Sequence, residues 1–248
     1  MVKLFWAKPG SASPQELANP YKLLAGDACG SNPMSNGNPV LQGRHVRLEP
    51  LERRHAEELA AAATADASLY QWSPVPLDKA GATAYIATAL AWRDAGAALP
   101  FVIVRAQDSA IIGSTRFWKM ERWSWPPGHP RQGREAPDVC EIGYTWLTAS
   151  AIRTAANTEA KLLMLAYAFE HWKALRVSFH TDVRNQRSRA ALERIGGKYE
   201  GILRAHRMGA DYTPRDSARY SIIAEEWPGV KTLLSSYLDG DRPAADIL

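Results

Sequence analysis

The sequence predicts an α/β (α+β) fold, and three observations carry that prediction. Glu141–Leu147 has the pattern of a strand that passes through a loop of small residues directly into a helix. Arg176–Asp182 alternates, with Val177, Phe179 and Thr181 on one side and Ser178 and His180 on the other, which is the period of a strand. After a short helix, Tyr199–Arg204 and Arg215–Ile223 read as two further strands, the first with a bend or bulge at Gly201.

In chain order, residues 1–40 differ from the rest. They are rich in Gly, Ser, Pro and Asn, with Gly30–Ser31–Asn32–Pro33 and Asn36–Gly37–Asn38–Pro39 as loop signals. They are expected to be a flexible N-terminal extension or leader, with Met34 a candidate natural start. Intact-mass analysis of the protein from its native locus showing Met1 retained would exclude that start. The first strand is expected at Val46–Arg47–Leu48, followed by a helix from Glu52 to Ala63. Tyr70–Gln71–Trp72–Ser73–Pro74 interrupts the helical region, and Lys79 to Ala95 resumes it. Phe101–Val104 and Ile111–Phe117 form a hairpin pattern around Gln107–Asp108–Ser109. A helix at Val230–Leu238 and a polar tail close the chain, giving a main domain over 41–228 and a C-terminal segment over 229–248. No internal repeat occurs.

The helix that follows Leu147 continues to Trp172, with Leu162, Leu165, Ala166 and Phe169 at helical spacing, so one face is expected to be buried. Its start offers free N–H groups and the positive end of the helix dipole. That combination suits an anion, most often a phosphate. A strand–loop–helix turn that binds nothing is the plain alternative.

Five motifs now occur in order: Glu-Ile-Gly-Tyr from Glu141, Asn-Thr-Glu-Ala-Lys from Asn157, Thr-Asp-x-x-Asn-x-x-Ser from Thr181, Gly-x-x-x-Glu-Gly-x-Leu-Arg from Gly196, and Arg-Asp-Ser-Ala-x-Tyr-Ser-Ile from Arg215. Together they resemble the GNAT acetyltransferases, and within them the RimJ/RimL-like branch that acetylates ribosomal-protein N-termini, over about Leu41 to Trp227. The resemblance implies a mixed, curved central sheet flanked by helices and acetyl-CoA as co-substrate. In that family a Gln/Arg-x-x-Gly-x-Gly/Ala loop holds the CoA pyrophosphate through backbone amides. Aligned on Thr158–Glu159–Ala160, this chain has Ile152, Ala155 and Asn157 at the signature positions. All three depart from the common residues, although Arg153 can supply the charge that Ile152 lacks. The expected cofactor-binding residues are therefore Arg153, Thr154, Ala155, Ala156, Asn157 and Thr158, with Asn185 at the pantetheine arm and Trp146 and Leu147 supplying N–H groups to the acetyl oxygen.

Acetyl transfer to an amine needs a neutral amine, a stabilised oxyanion and a proton for the departing thiolate. A protein α-amine, with a pKa of about 8, is easier to deprotonate than a lysine at about 10.4. Glu141 is the candidate general base, directly or through a water, and a salt-bridged structural carboxylate is its alternative. Ser188 matches the family position that protonates the thiolate; the alternative is a cap or first-turn residue. The segment 118–138 is longer and more aromatic than a hairpin connection needs. Trp118, Trp123 and Trp125, with Tyr144, are expected to wall the acceptor site; the tryptophans could equally pack on the sheet edge or a second subunit, which leaves a homodimer open. Tyr220 reads as packing and His206 as a partly buried structural histidine, though His206 could line the acceptor cleft.

Composition excludes other classes. The chain has 248 residues, 46% of them hydrophobic, enough for a full core, and no apolar run near the ~20 residues of a membrane span. Two distant cysteines, Cys29 and Cys140, and no secretory pattern suit a cytoplasmic protein. Net charge is +4, but no dense basic run or nucleic-acid motif occurs, so a nucleic-acid partner is not expected. Arg184, Arg187, Arg189 and Arg194 are the one local concentration, and a helix cannot put them all on one face. No metal spacing, Gly-x-Ser-x-Gly elbow or Walker loop is present. The leading expectation is direct acetyl transfer, in a ternary complex, to a protein N-terminal amine. A small-molecule amine and a non-catalytic CoA-binding module are the alternatives.

Overall fold

The computed structural model describes residues 34–35, 38–76, 78–209 and 211–240. Most of the expected N-terminal extension, and the polar tail after Gly240, lie outside the described residues. Two short strands, β1 (Met34–Ser35) and β2 (Asn38–Pro39), pair with each other. An eight-stranded sheet then carries the fold. In chain order its strands are β3 (Leu41–Gln42), β4 (Val46–Pro50), β5 (Ala98–Arg105), β6 (Ile111–Glu121), β7 (Val139–Leu147), β8 (Arg176–Asp182), β9 (Lys198–Met208) and β10 (Pro214–Ile223). Their spatial order is β3-β4-β5-β6-β7-β8-β10-β9. Every pairing is antiparallel except β7 with β8. Parallel neighbours need a crossover, and helix α3 (Ala155–Ala166) supplies it.

The helices split between the sheet faces. On one face α3 and α5 (Trp227–Asp239) pack over Phe101, Phe117, Cys140, Ile142, Val177 and Phe179. On the other, α1 (Ala56–Thr64) and α2 (Lys79–Asp94) cover Val102, Val104 and Trp146. This second cover stops at β6 and β7, so the face of β7–β10 beyond it stays open. Asp78 caps α2 by accepting from Gly81 N at 2.6 Å. The short α4 (Gln186–Arg194) follows β8.

Several expectations change. α3 is not buried along one face: Thr158, Glu159 and Lys161 are also interior, because α5 and the β3–β4 turn cover its outer side. The helix also ends at Ala166, and a π-turn at Tyr167–His171 completes the stretch expected to be helical. The last helix begins at Trp227, so a boundary at 228/229 falls inside it; Pro228 in the first turn is tolerated because that N–H has no helical acceptor. β6 runs to Glu121, which shortens the aromatic connection to residues 122–138. Gly201, with φ +130°, marks the expected irregularity in β9.

Candidate active site

β7 and β8 pair only at Val139–Arg176, Cys140–Val177 and Glu141–Ser178. Beyond Glu141 both strands continue without pairing to each other. The cause lies in β7, where Tyr144 has φ +53° and the register with β6 slips between Ser114 and Arg116; such a bulge bends the strand. A gap therefore opens through the sheet. Leu147 stands opposite Gly113, and Thr148 N donates to Ile112 O at 2.9 Å. Alternation then turns the N–H and C=O of Leu147 toward the gap and those of Trp146 toward β6. Consistently, Tyr70 Oη donates to Leu147 O at 3.1 Å.

One side of the gap meets the start of α3. Thr154 is the N-cap, accepting from Ala156 N at 3.2 Å while its hydroxyl donates to Ala151 O at 2.7 Å. The left-handed position of this loop falls on exposed Arg153, with φ +62°. Ala155 is the first helical residue and needs none of glycine's freedom. The remaining first-turn N–H groups have no helical acceptor, so they are free to meet an anion although the signature glycines are missing. Thr158 differs from its expected role: it is buried and its hydroxyl accepts from Arg194 Nη2 at 2.9 Å. Asn185 caps α4 by accepting from Ser188 N at 3.0 Å. Arg187 Nη2 donates to Leu69 O at 2.9 Å, which fixes the first turn of α4, with Ser188, beside the Tyr70 segment at the gap.

The other side of the gap is a cleft of about 410 Å³ on the open sheet face, lined by Lys119, Glu121, Trp123, Glu141, His180 and His206 among others. Glu141 is 2% exposed. Arg207 Nη2 donates to its Oε1 at 3.2 Å and Oε2 at 3.1 Å, and His180 Nδ1 lies 3.0 Å from Oε2. Burial alone would raise the Glu141 carboxyl; the His180 imidazole and the Arg207 charge outweigh it and hold it below the usual carboxylate range. Burial, then Arg207, pushes His206 down to about 4.

Beside the cleft, Trp118 stacks on Trp92 and meets Tyr144 edge-on, and Arg207 lies 4.4 Å over the Trp118 ring. Arg116, 1% exposed, has no carboxylate partner among the described residues; its guanidinium lies 4.2 Å from the Tyr144 ring centre and 4.7 Å from that of Tyr85. Ring faces offset part of the cost of such a charge. The four predicted acceptor residues divide. Trp118 and Tyr144 form this aromatic wall and Trp123 stands at the rim, whereas Trp125 turns away to stack on His129 at 4.1 Å. Asp138 explains that turn: its carboxylate accepts from Trp123 N, Trp125 Nε1 and Arg131 Nη1, all within 3.1 Å. No group of three His, Cys, Asp or Glu that could hold a metal occurs among the described residues, and none of their helices is long and apolar enough to cross a membrane.

Residues 45–198 match the acetyltransferase (GNAT) domain. The chain belongs to the GNAT acetyltransferase family. A curated relative is YdaF of Bacillus subtilis (strain 168), whose name marks it as a candidate ribosomal N-acetyltransferase. It is 35% identical over 91 residues, 37% of this chain and 49% of YdaF, so the chain spans about half the length of that relative. A candidate acetyltransferase from T. thermophilus superimposes with TM-score 0.65 at 32% identity, covering 83% of this chain and 100% of its own. The fold is shared with Mycobacterium smegmatis RimJ in complex with CoA-disulfide, TM-score 0.64 at 23% identity over 77% of this chain and 88% of RimJ. The name of YdaF, a candidate ribosomal N-acetyltransferase, agrees with the RimJ/RimL-like branch to which the motifs pointed.

Within this GNAT domain, Glu141 and the start of α3 sit on opposite sides of one gap. Sequence reasoning missed Arg207, Arg116, Tyr85 and Trp92, and set His180 aside as a strand residue. The alternation of β8 put His180 beside Ser178, but nothing local announced that Arg207, 66 positions after Glu141, would close on it.

Proposed function

We propose that this chain transfers the acetyl group of acetyl-CoA to a primary amine by direct attack in a ternary complex, and that the amine is a protein N-terminus. A single observation carries this: the β7–β8 gap joins an anion cradle on one sheet face to a carboxylate-centred cleft on the other. The cradle, at Arg153–Asn157, suits the pyrophosphate of acetyl-CoA, which supplies the activated acetyl thioester when bound. Leu147 N–H is aimed where negative charge grows on the acetyl oxygen. On the cleft side the amine gives up its proton to the group organised around Glu141. On the cradle side Ser188 donates one to the departing sulfur as the C–S bond breaks. Asn185 orients that first turn.

The protein N-terminal acceptor is supported by the name of YdaF and by the cleft's form, a groove with Trp123 48% exposed at its rim. A chain end fits a groove; a small amine needs closure on all sides. The same reading places the protein in the cytoplasm, where its targets and reduced thiols are found.

Isothermal titration with acetyl-CoA and CoA tests the cradle, with micromolar or tighter binding expected. Thiol release with short peptides beginning in Ser, Ala or Met, compared with spermidine, then tests the acceptor. No binding overturns the acetyl-transfer reading; turnover confined to spermidine transfers it to small amines.

A further inference from the structure

We infer that the proton leaving the acceptor amine passes to the His180 imidazole, that Glu141 is the positioning residue behind it, and that His206 forms the second wall of the amine's seat. This rests on the acetyl-transfer reading above. Glu141 is badly placed to take the proton itself. Arg207 bridges both of its oxygens, His180 Nδ1 crowds Oε2, and at 2% exposure an incoming amine would have to displace one of them.

An imidazole that turns Nδ1–H to a carboxylate keeps Nε2 as a lone-pair acceptor. His180 Nε2 and His206 Nδ1 are buried with no hydrogen-bond partner among the described residues; His180 Nδ1 also makes no well-aligned hydrogen bond there, but at 3.0 Å from Glu141 Oε2 it needs only a small ring rotation to direct its N–H at that oxygen. The two rings lie 4.9 Å apart, tilted at 44°, and both line the cleft. Two buried, unsatisfied nitrogens bordering one space are costly unless a donor serves them. A primary amine brings the N–H groups that do so, which makes the pair a seat for the nucleophile as well as a sink for its proton.

The charges around the pair come from every neighbouring strand. Lys119 and Glu121 face it from β6, Arg176 from β8, Arg207 from β9 and Arg219 from β10, with Glu141 beneath on β7. Arg176 and Arg219 are both paired with Glu200 of β9, and the carboxylate in direct contact with His180 is Glu141. In the step, the amine's N–H bond breaks as its N–C bond forms. The proton lands on Nε2, Glu141 stabilises the imidazolium through Nδ1–H, and solvent later removes the proton.

Two measurements test this. Long-range ¹H–¹⁵N spectra of histidine side chains at neutral pH should show His180 with its proton on Nδ1, and that preference should be lost in E141Q. In steady-state kinetics with acetyl-CoA and the Ser-, Ala- and Met-initiated peptides, H180Q should lose kcat about a hundredfold or more. It should also lose the acidic limb of the kcat/KM–pH profile while keeping the affinity for acetyl-CoA. H206Q should mainly raise KM for the peptide, and H180N replaces H180Q if the latter melts early. His180 protonated on Nε2, or an H180Q enzyme within about threefold of wild type with its acidic limb intact, overturns the inference. A wild-type protein that binds acetyl-CoA but acetylates no amine sinks the acetyl-transfer reading instead, and the tautomer then decides the Glu141–His180 pair by itself.

Discussion

Glu141 and Glu159 are both interior carboxylates, yet their surroundings are opposite in kind. Glu159, fully buried, is held by backbone: its Oε1 accepts from Arg44 N at 2.9 Å and its Oε2 from His45 N at 2.6 Å and Val46 N at 2.7 Å. Those donors cannot titrate or swing away. Gly43 completes the clamp, because a Cβ there would sit 2.4 Å from the Glu159 carboxyl. Glu141 is held by Arg207 and His180, side chains that can exchange protons or move, and it borders a cleft. Burial does not separate the scaffold carboxylate from the candidate working one; the chemistry of the donors does.

The comparison breaks most visibly if the clamp is cut. E159A strands three backbone N–H groups, that of Val46 buried and those of Arg44 and His45 part-buried, and should cost about 2 kcal/mol or more of stability, read by urea denaturation; a change under about 1 kcal/mol would mean the turn simply rearranges. E141Q should show the reverse profile. Its unfolding midpoint should move less than that of E159A, while turnover falls at least about tenfold; unchanged turnover removes Glu141 from the reaction.

Lys161 sharpens the contrast as a third interior charge, one with a single hydrogen-bond partner among the described residues. Its Nζ donates to Thr145 Oγ1 at 2.6 Å, and burial pushes its pKa down to about 7. From there up to about 10, the unfolded chain carries a proton that the folded one lacks. Stability should therefore rise with pH across that window, by up to about 1.4 kcal/mol per pH unit, whereas K161M removes this contribution. Denaturation at pH 7, 8 and 9 checks it, and parallel profiles for the two proteins would rule out the buried titration. The smallest effect is expected at the cradle: T154A should cost about 1 kcal/mol as a lost N-cap and weaken acetyl-CoA binding in the same calorimeter.

Much of the fold was legible in the sequence because it is written locally. Val177, Phe179 and Thr181 alternate as a strand must, and Thr154 through Ala160 carry a helix start. The weight of the Ala155 departure was not legible, because the sequence does not locate the left-handed position of the loop; the structure puts it at Arg153. Glu141 was recognisable from its motif. Its partners were not, since Arg207 and His180 reach it from strands whose spacing along the chain says nothing about which side chains converge. Arg116 was hidden for a related reason: an arginine amid Ser114, Thr115 and Phe117 gives no sign that Tyr85, Trp92 and Tyr144 will enclose it.

The connection bound to Asp138 has a consequence for selectivity. Arg131 and Arg134 tie it to the carbonyls of Lys173 and Trp172, while Asp138 gathers the Trp123 and Trp125 ends. A loop fastened at so many points resembles a fixed jaw more than a hinge. The width of the entrance is then set before any acceptor arrives, and discrimination falls on what can pass Trp123 rather than on a closing motion afterward.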